Sequence, residues 1–290
     1  MAYPTIDAPY GLKPVNLIGG QVFAGSTRNY PIQYGYASNI YYGDFVQLNR
    51  GNIIRLAVTA GSSTIFPTGI FLGCSFTNPL TKQLTFSQYW PTGTLAGDAV
   101  AIVCEDPDTV FKAAVCSATT VIGAASKALI GQNVQCINNV DLTGQTSTGN
   151  SLNAVATVSG AGAPATTATF PLRVIDVVRE TAIAVTAVGS SSTTTVTTTT
   201  AFSGKVFAGS DVAYIAANGQ LVETGSYVQS DVAATVAAGA LTNFLNLAVA
   251  VPGSIITIPA ASTIVCTQYT EVLVKLNFAQ HAYYAGLGVA

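Results

Sequence analysis

Apolar residues recur at every second position through much of the first 180 residues, and turn signals interrupt them at short intervals. Ile32, Tyr34 and Tyr36 alternate after Pro31. Phe45-Val46-Gln47-Leu48 runs into the turn cluster Asn49-Arg50-Gly51-Asn52 and is answered by an apolar run over 53–58, the pattern of a hairpin. Residues 69–74 read as a buried strand bounded by glycines, and 83–87 alternate again. Further strands are expected at 99–103 and 110–115, set off by turns at Trp90-Pro91-Thr92-Gly93 and Asp106-Pro107. Short strands at such close spacing predict an all-β barrel or sandwich.

The rest of the chain is less regular. Residues 124–130 predict one or two helical turns confined by Gly123 and Gly131, 141–168 a long loop, and 170–178 a strand. The Thr-dominated run 186–200 reads as strand and loop, because β-branched threonine suits extended backbone. Val232, Val236, Ala240, Phe244 and Leu247 recur at helical spacing and predict a helix over 228–247, stopped by Pro252. Strands follow at 254–259 and 271–278, then an irregular tail. Val206-Phe207-Ala208-Gly209-Ser210 repeats Val22-Phe23-Ala24-Gly25-Ser26 letter for letter, a candidate internal repeat. Ahead of the first alternation, Pro4, Pro9 and Pro14 give residues 1–30 the look of an extended arm. Its aromatics, Tyr3, Tyr10, Phe23 and Tyr30, suit packing on a neighbouring subunit, with a frayed terminus as the other reading.

Composition changes the picture in one respect. Of the 290 residues 49% are hydrophobic but only 8% are charged, against roughly a quarter in an ordinary soluble domain. A skin of Ala, Gly, Ser and Thr suggests a protein that works in an assembly. The net charge of −2 argues against nucleic-acid binding, which needs clustered Lys and Arg. Mean hydropathy is +0.46, yet no apolar run approaches the roughly 20 residues of a spanning helix, so no membrane partner is expected. No secretory signal pattern stands at the start. Five widely spaced cysteines fit buried free thiols of a protein made in a reducing cytoplasm better than a disulfide framework or metal ligation.

Candidate chemistry is sparse. The one histidine, His281, lies in a Gly/Ala/Tyr tail, and no nucleophile elbow, phosphate loop or dinucleotide fingerprint is present. Glu105, Asp106 and Asp108 form the densest acid cluster. They read as a solvated turn, with a carboxylate pair for glycoside hydrolysis or a Ca²⁺ site as alternatives. Catalytic residues, cofactors and metals are therefore expected to be none, and the protein is expected not to be an enzyme. Tyr41-Tyr42 and Tyr283-Tyr284 are candidate interface aromatics, or ordinary rim packing.

Several segments together carry a resemblance: APYGLKPVNLIGG (8–20), YYGDFVQL (41–48), IFLGCSF (70–76), YWPTGT (89–94), EDPDTVFKA (105–113) and TEVLVKLNFAQH (270–281). In these the chain resembles virion structural proteins of tailed bacteriophages, of the capsid decoration (cement) type. The resemblance spans residues 8 to about 178 and resumes at 270. It implies a mainly β fold: a small β-barrel, β-tulip-like base over 31–180 and 263–290, an extended N-terminal arm over 1–30, and an inserted, outward-facing β-rich domain over 181–262. It further implies a protein made in the host cytoplasm that sits on the capsid surface of the virion and bridges subunits of the major capsid protein. A homo-oligomer, by resemblance a trimer, is the implied form. Capsid or subunit contacts are expected at Tyr3, Tyr10, Leu12, Phe23, Tyr30, Tyr41, Tyr42, Tyr283 and Tyr284. The alternative is a tail, neck or head-fibre component that binds a host-surface glycan through the inserted domain.

Overall fold

The computed structural model describes residues 9–58, 65–118, 121–138, 146–156, 170–191, 195–207, 209–228, 240–241, 244–246, 257–282 and 284. In chain order these form β1 (Lys13–Leu17), β2 (Arg28–Pro31), β3 (Phe45–Asn49), β4 (Asn52–Arg55), β5 (Gly69–Thr77), β6 (Leu84–Ser87), β7 (Val100–Cys104), β8 (Thr109–Ala118), β9 (Val121–Ile122) and β10 (Asn133–Asn138). They continue as β11 (Asn153–Ala156), β12 (Leu172–Val177), β13 (Ala182–Ser191), β14 (Val196–Thr198), β15 (Asp211–Ile215), β16 (Leu221–Val228), β17 (Ala240–Leu241), β18 (Phe244–Asn246), β19 (Ile258–Tyr269) and β20 (Glu271–Leu276). No α-helix occurs among the described residues, so the protein is mainly β. The described chain divides into two compact units. A base unit draws on 6–122, 131–176 and 272–290, and a second unit draws on 123–130 and 177–271. The expected insert of 181–262 lies within the second unit, which also takes in the turn at 123–130.

The base unit carries two sheets. In one, β8, β11, β10, β12 and β20 close on one another as a five-stranded barrel, with β1 and β9 laid against β8. The strand β10 is buried at all six positions, so the side chains that point out of the barrel are covered as well as those that point into it. Its partner β11 lies inside the stretch expected to be a long loop. Asn153–Ala156 pairs with β10 on one side and, in parallel, with β8 on the other. Four residues among Gly, Ser and Asn give too short a signal for alternation to reveal. The proposed arm is likewise part of the base over its described residues: β1 is hydrogen-bonded to β8 and β2 to β7.

The other sheet runs β2-β7-β5-β3-β4, with β6 added to β5. Its β3–β4 hairpin turns on Arg50 (φ 48°) and Gly51 (φ 82°), the paired positive φ of a two-residue type I′ turn. Ile40, Ile53, Phe71, Phe76 and Trp90 lead its core. Trp90 is fully buried and meets Phe76 edge-to-face at 5.3 Å between ring centroids. The Trp-Pro turn is thus a core corner.

A buried polar knot ties this sheet to the segment before β11. Asp44 is fully buried and accepts hydrogen bonds from the Tyr41 amide (2.9 Å), the Ser151 hydroxyl and Asn153 Nδ2 (3.1 Å). Arg55 Nε lies 3.1 Å from Asp44 Oδ2, but not in hydrogen-bond geometry, so that contact is chiefly coulombic. The two backbones cross closely here. A Cβ on Gly43 would stand 2.6 Å from the Leu12 nitrogen, which together with φ +85° requires glycine.

The second unit is one sheet in the order β17-β14-β13-β19-β15-β16-β18. Its centre is the twelve-residue β19, paired with β13 from Ala182↔Tyr269 onward and with β15 from Asp211↔Thr267 onward. Val185, Val196, Phe202, Val206, Val212, Ile258, Ile264 and Cys266 form its core. The helix expected over 228–247 is not formed where the chain is described. Val228 ends β16, Ala240–Leu241 pairs with β14, and Phe244–Asn246 pairs with β16. Residues 229–239, 242–243 and 247 of that stretch lie outside the described residues. An Ala/Val/Thr-rich run satisfies either period, and cross-strand pairing decides between them. The helical turn expected at 124–130 is a 3₁₀ turn at Lys127–Leu129. The repeated pentapeptide is not a structural repeat: Val206 is fully buried in a core, whereas Val22 is 81% exposed.

Candidate docking surface

The acid cluster is a turn. Asp106 Oδ1 accepts the Asp108 amide at 2.9 Å, and the Asp106 carbonyl accepts the Thr109 amide at 3.1 Å, which starts β8. Glu105 accepts the Tyr30 hydroxyl and lies 3.4 Å from Arg28 Nη1, while Asp108 faces Lys275 Nζ at 3.8 Å. The carboxylates thus look outward to different partners. Among the described residues no group of three or more His, Cys, Asp or Glu side chains converges as a metal site. His281 is buried at 1% exposure, with Nε2 3.0 Å from the Glu105 carbonyl. Burial lowers its pKa below the usual histidine range, opposed by that contact, so the ring fastens the tail to the turn as a neutral group. All five cysteines are free and buried. Burial pushes the thiols of Cys74, Cys116 and Cys266 up to about 12.

The residues expected at an interface separate into two sets. Leu12 (0% exposed), Tyr30 (7%) and Tyr41 (8%) are interior side chains of the base and present no surface. Tyr10, Phe23 and Tyr42 are half-buried, and Tyr284 is 55% exposed, packed on Phe278 at 4.7 Å. Tyr10 lies under the ammonium of Lys13 at 4.4 Å. Tyr3 and Tyr283 lie outside the described residues.

Among the described residues of the base, three exposed large apolar side chains gather elsewhere, on the hairpin of β5 and β6. Register pairs Cys74 with Ser87, Ser75 with Phe86, Phe76 with Thr85 and Thr77 with Leu84. Since successive side chains alternate between faces, Cys74 and Phe76 turn inward onto the core. Phe86 and Leu84 then share the outward face with Ser75 and Thr77. Phe86 is 75% exposed, Leu84 63%, and Leu80 in the connecting turn 90%. That turn is well determined. Asn78 Oδ1 accepts the Leu80 amide at 2.9 Å, the Asn78 carbonyl accepts the Lys82 amide at 2.9 Å, and Lys82 takes φ +58°. Asp98 clamps the end of β5 by accepting the Thr77 amide at 3.1 Å and the Thr77 hydroxyl, and these hydrogen bonds lower its pKa. Among the described strands β6 pairs only with β5, so an edge strand holds out two large apolar side chains, with a third at its tip.

No known protein family, curated protein or solved structure matches this chain. None of Leu80, Leu84 and Phe86 is among the residues expected at an interface. The alternation at 83–87 marks a strand with two faces, but a pattern of period two does not say which face meets the core.

Proposed function

We propose that the protein is a structural component of a tailed-bacteriophage virion, of the capsid decoration type. In this reading it binds the outer surface of the shell and bridges neighbouring subunits of the major capsid protein. The resemblance of the base segments supplies the class. The observation that carries the reading is the β5–β6 hairpin, whose Leu80, Leu84 and Phe86 stand in solvent on a chain of very low charge. Large apolar groups held out by ordered backbone mark a protein–protein contact. Burying each against a partner contributes about 1.5–3 kcal/mol. A few such anchors per copy give a modest site. Repetition over a symmetric shell makes it stabilising, because any ligand that binds only the assembled state shifts the equilibrium towards it. A homo-oligomer, with a trimer as the form the resemblance implies, multiplies the anchors further.

Particles of a phage that encodes this chain test the reading. Copy number, read from a stained gel against the major capsid protein, is expected to be commensurate with the capsid lattice. A few copies per particle would instead identify a tail or fibre part. The Leu84→Ser/Phe86→Ser double variant is expected to fold and to lose most binding to shells stripped of the protein. Undiminished binding by that variant would remove the hairpin from the contact.

A further inference from the structure

The second unit contains a recess of about 270 Å³, lined by Lys127, Asp211, Glu223 and Thr267 over Ala213 and Leu221, and bounded also by Val212, Gly225 and Ser226. It exists because β16 bulges. Val212 pairs with Ser226 and the next residue, Ala213, pairs with Glu223, so Thr224 and Gly225 are extra on one strand. Gly225 takes φ +72°, and it brings no side chain into the space it lines. Thr224 secures the bulge by donating its hydroxyl to the Val212 carbonyl at 2.6 Å and accepting the Ser226 amide at 3.2 Å. The Lys127 turn closes another side: its amide reaches Asp211 Oδ2 at 3.4 Å, and its Nζ stands 3.6 Å from Glu223 Oε1.

The donor set points to a class of ligand. An anion entering the recess meets two carboxylates, and a cation has to share them with the Lys127 ammonium, which already stands 3.6 Å from Glu223 Oε1. A purely apolar ligand would cover Asp211, whose carboxylate has one long hydrogen bond for its several acceptor positions. A neutral polyhydroxylated ring meets every group. Its hydroxyls donate to Asp211 and Glu223 and accept from Lys127 Nζ and the Thr267 hydroxyl, and its C–H face lies on Leu221 and Ala213, which share the Asp211 face of the sheet. The volume lies just below the usual range of pockets for drug-sized ligands, which limits the occupant to a single ring. We infer that the recess at the β16 bulge is a binding site for one neutral sugar residue of a glycan. Among the described residues no aromatic ring lines it, so recognition rests on hydrogen bonds to hydroxyls. The inference involves other residues than the docking hairpin, so either can fail without the other.

The test uses the full-length chain and the methyl glycosides of glucose, galactose and mannose, followed by saturation-transfer NMR and calorimetric titration. Glucuronate and glucosamine are the charged controls. At least one neutral glycoside is expected to bind saturably and at least about tenfold more tightly than either charged control. Glu223→Gln and Asp211→Asn are each expected to weaken that binding at least tenfold. Glu223 is 76% exposed at its side chain, so its variant retains the fold and decides the matter independently of Asp211→Asn. Absence of binding by all three neutral glycosides, preference for a charged control, or equal binding by Glu223→Gln would overturn the assignment.

Discussion

Replacing Asp211 by Asn is expected to remove a pH dependence of stability that the wild-type second unit carries. Burial raises the Asp211 carboxyl from 3.8 to about 6; the Lys127 amide and ammonium oppose the rise, and Glu223 adds to it. In the unfolded chain the group titrates near 3.9. Between those values the folded state holds a proton that the unfolded state has released. Stability therefore falls as pH rises through roughly 4 to 6, and stays reduced above. A shift of about two units corresponds to about 3 kcal/mol, and partial solvent access reduces the expectation to ~1–2 kcal/mol. Asn cannot ionise, so the variant should match wild type near pH 4 and exceed it by ~1–2 kcal/mol near pH 7.5. Hydrogen exchange of peptides covering β15 and β16, read across this range, measures the stability of that hairpin directly. Equal pH slopes for the two proteins, or an advantage of the variant that grows towards low pH, would refute the reasoning.

Asp44→Ala is expected to cost ~3–5 kcal/mol, because Tyr41 N, Ser151, Asn153 and Arg55 all lose their acceptor or counter-charge in a buried site; urea unfolding followed by Trp90 fluorescence measures it. Gly69→Ala places a Cβ 2.3 Å from the Cys104 carbonyl, where backbone must move, and should cost ~1–3 kcal/mol or more in the same assay. Gly51→Ala, with nothing within 4 Å of the added Cβ but φ +82°, isolates the conformational part alone at ~1–2 kcal/mol. An aromatic disulfide reagent at pH 8 should label none of the five thiols in the native protein and all five in denaturant, since each is buried. Fast labelling of the native chain would show an opening that the fold does not suggest.

The strands of the 31–115 region were legible because each carries its own period and its own turn chemistry: the Asn49-to-Asn52 turn, the glycines at 69 and 73, Trp90-Pro91. What escaped depends on partners distant in the chain. Asn153–Ala156 is a strand because β8 and β10 supply both its edges, and 240–246 is extended because β14 and β16 do. Tyr30 and Tyr41 read as interface residues because aromatic residues suit either interior or interface, and only register shows that they point inward. The recess was illegible for a stronger reason. It joins Lys127 to Asp211, 84 residues on, through a bulge whose only local mark is Gly225 in a strand.

The few charges of this chain are placed in a way that constrains how it binds. Asp44 faces Arg55 in the interior, Glu105 faces Arg28, Asp108 faces Lys275, and Lys127 stands by Glu223 and Asp211. These charges are thus taken up by contacts within the chain, and the net charge is only −2. The hairpin bears one charge of each sign, Lys82 in its turn and Asp98 at the end of β5, so it has little net long-range field with which to steer a partner. Binding to a shell through Leu80, Leu84 and Phe86 should then be nearly indifferent to salt. Raising ionic strength from about 0.05 M to about 0.5 M shortens the screening length from ~14 Å to ~4 Å. That change should alter the affinity by less than about threefold, and a slight gain is the direction expected of apolar burial. Weakening by a factor of about ten or more over that range would mean that paired charges open on docking, and the contact would have to be sought at Glu105, Asp108 and their partners instead.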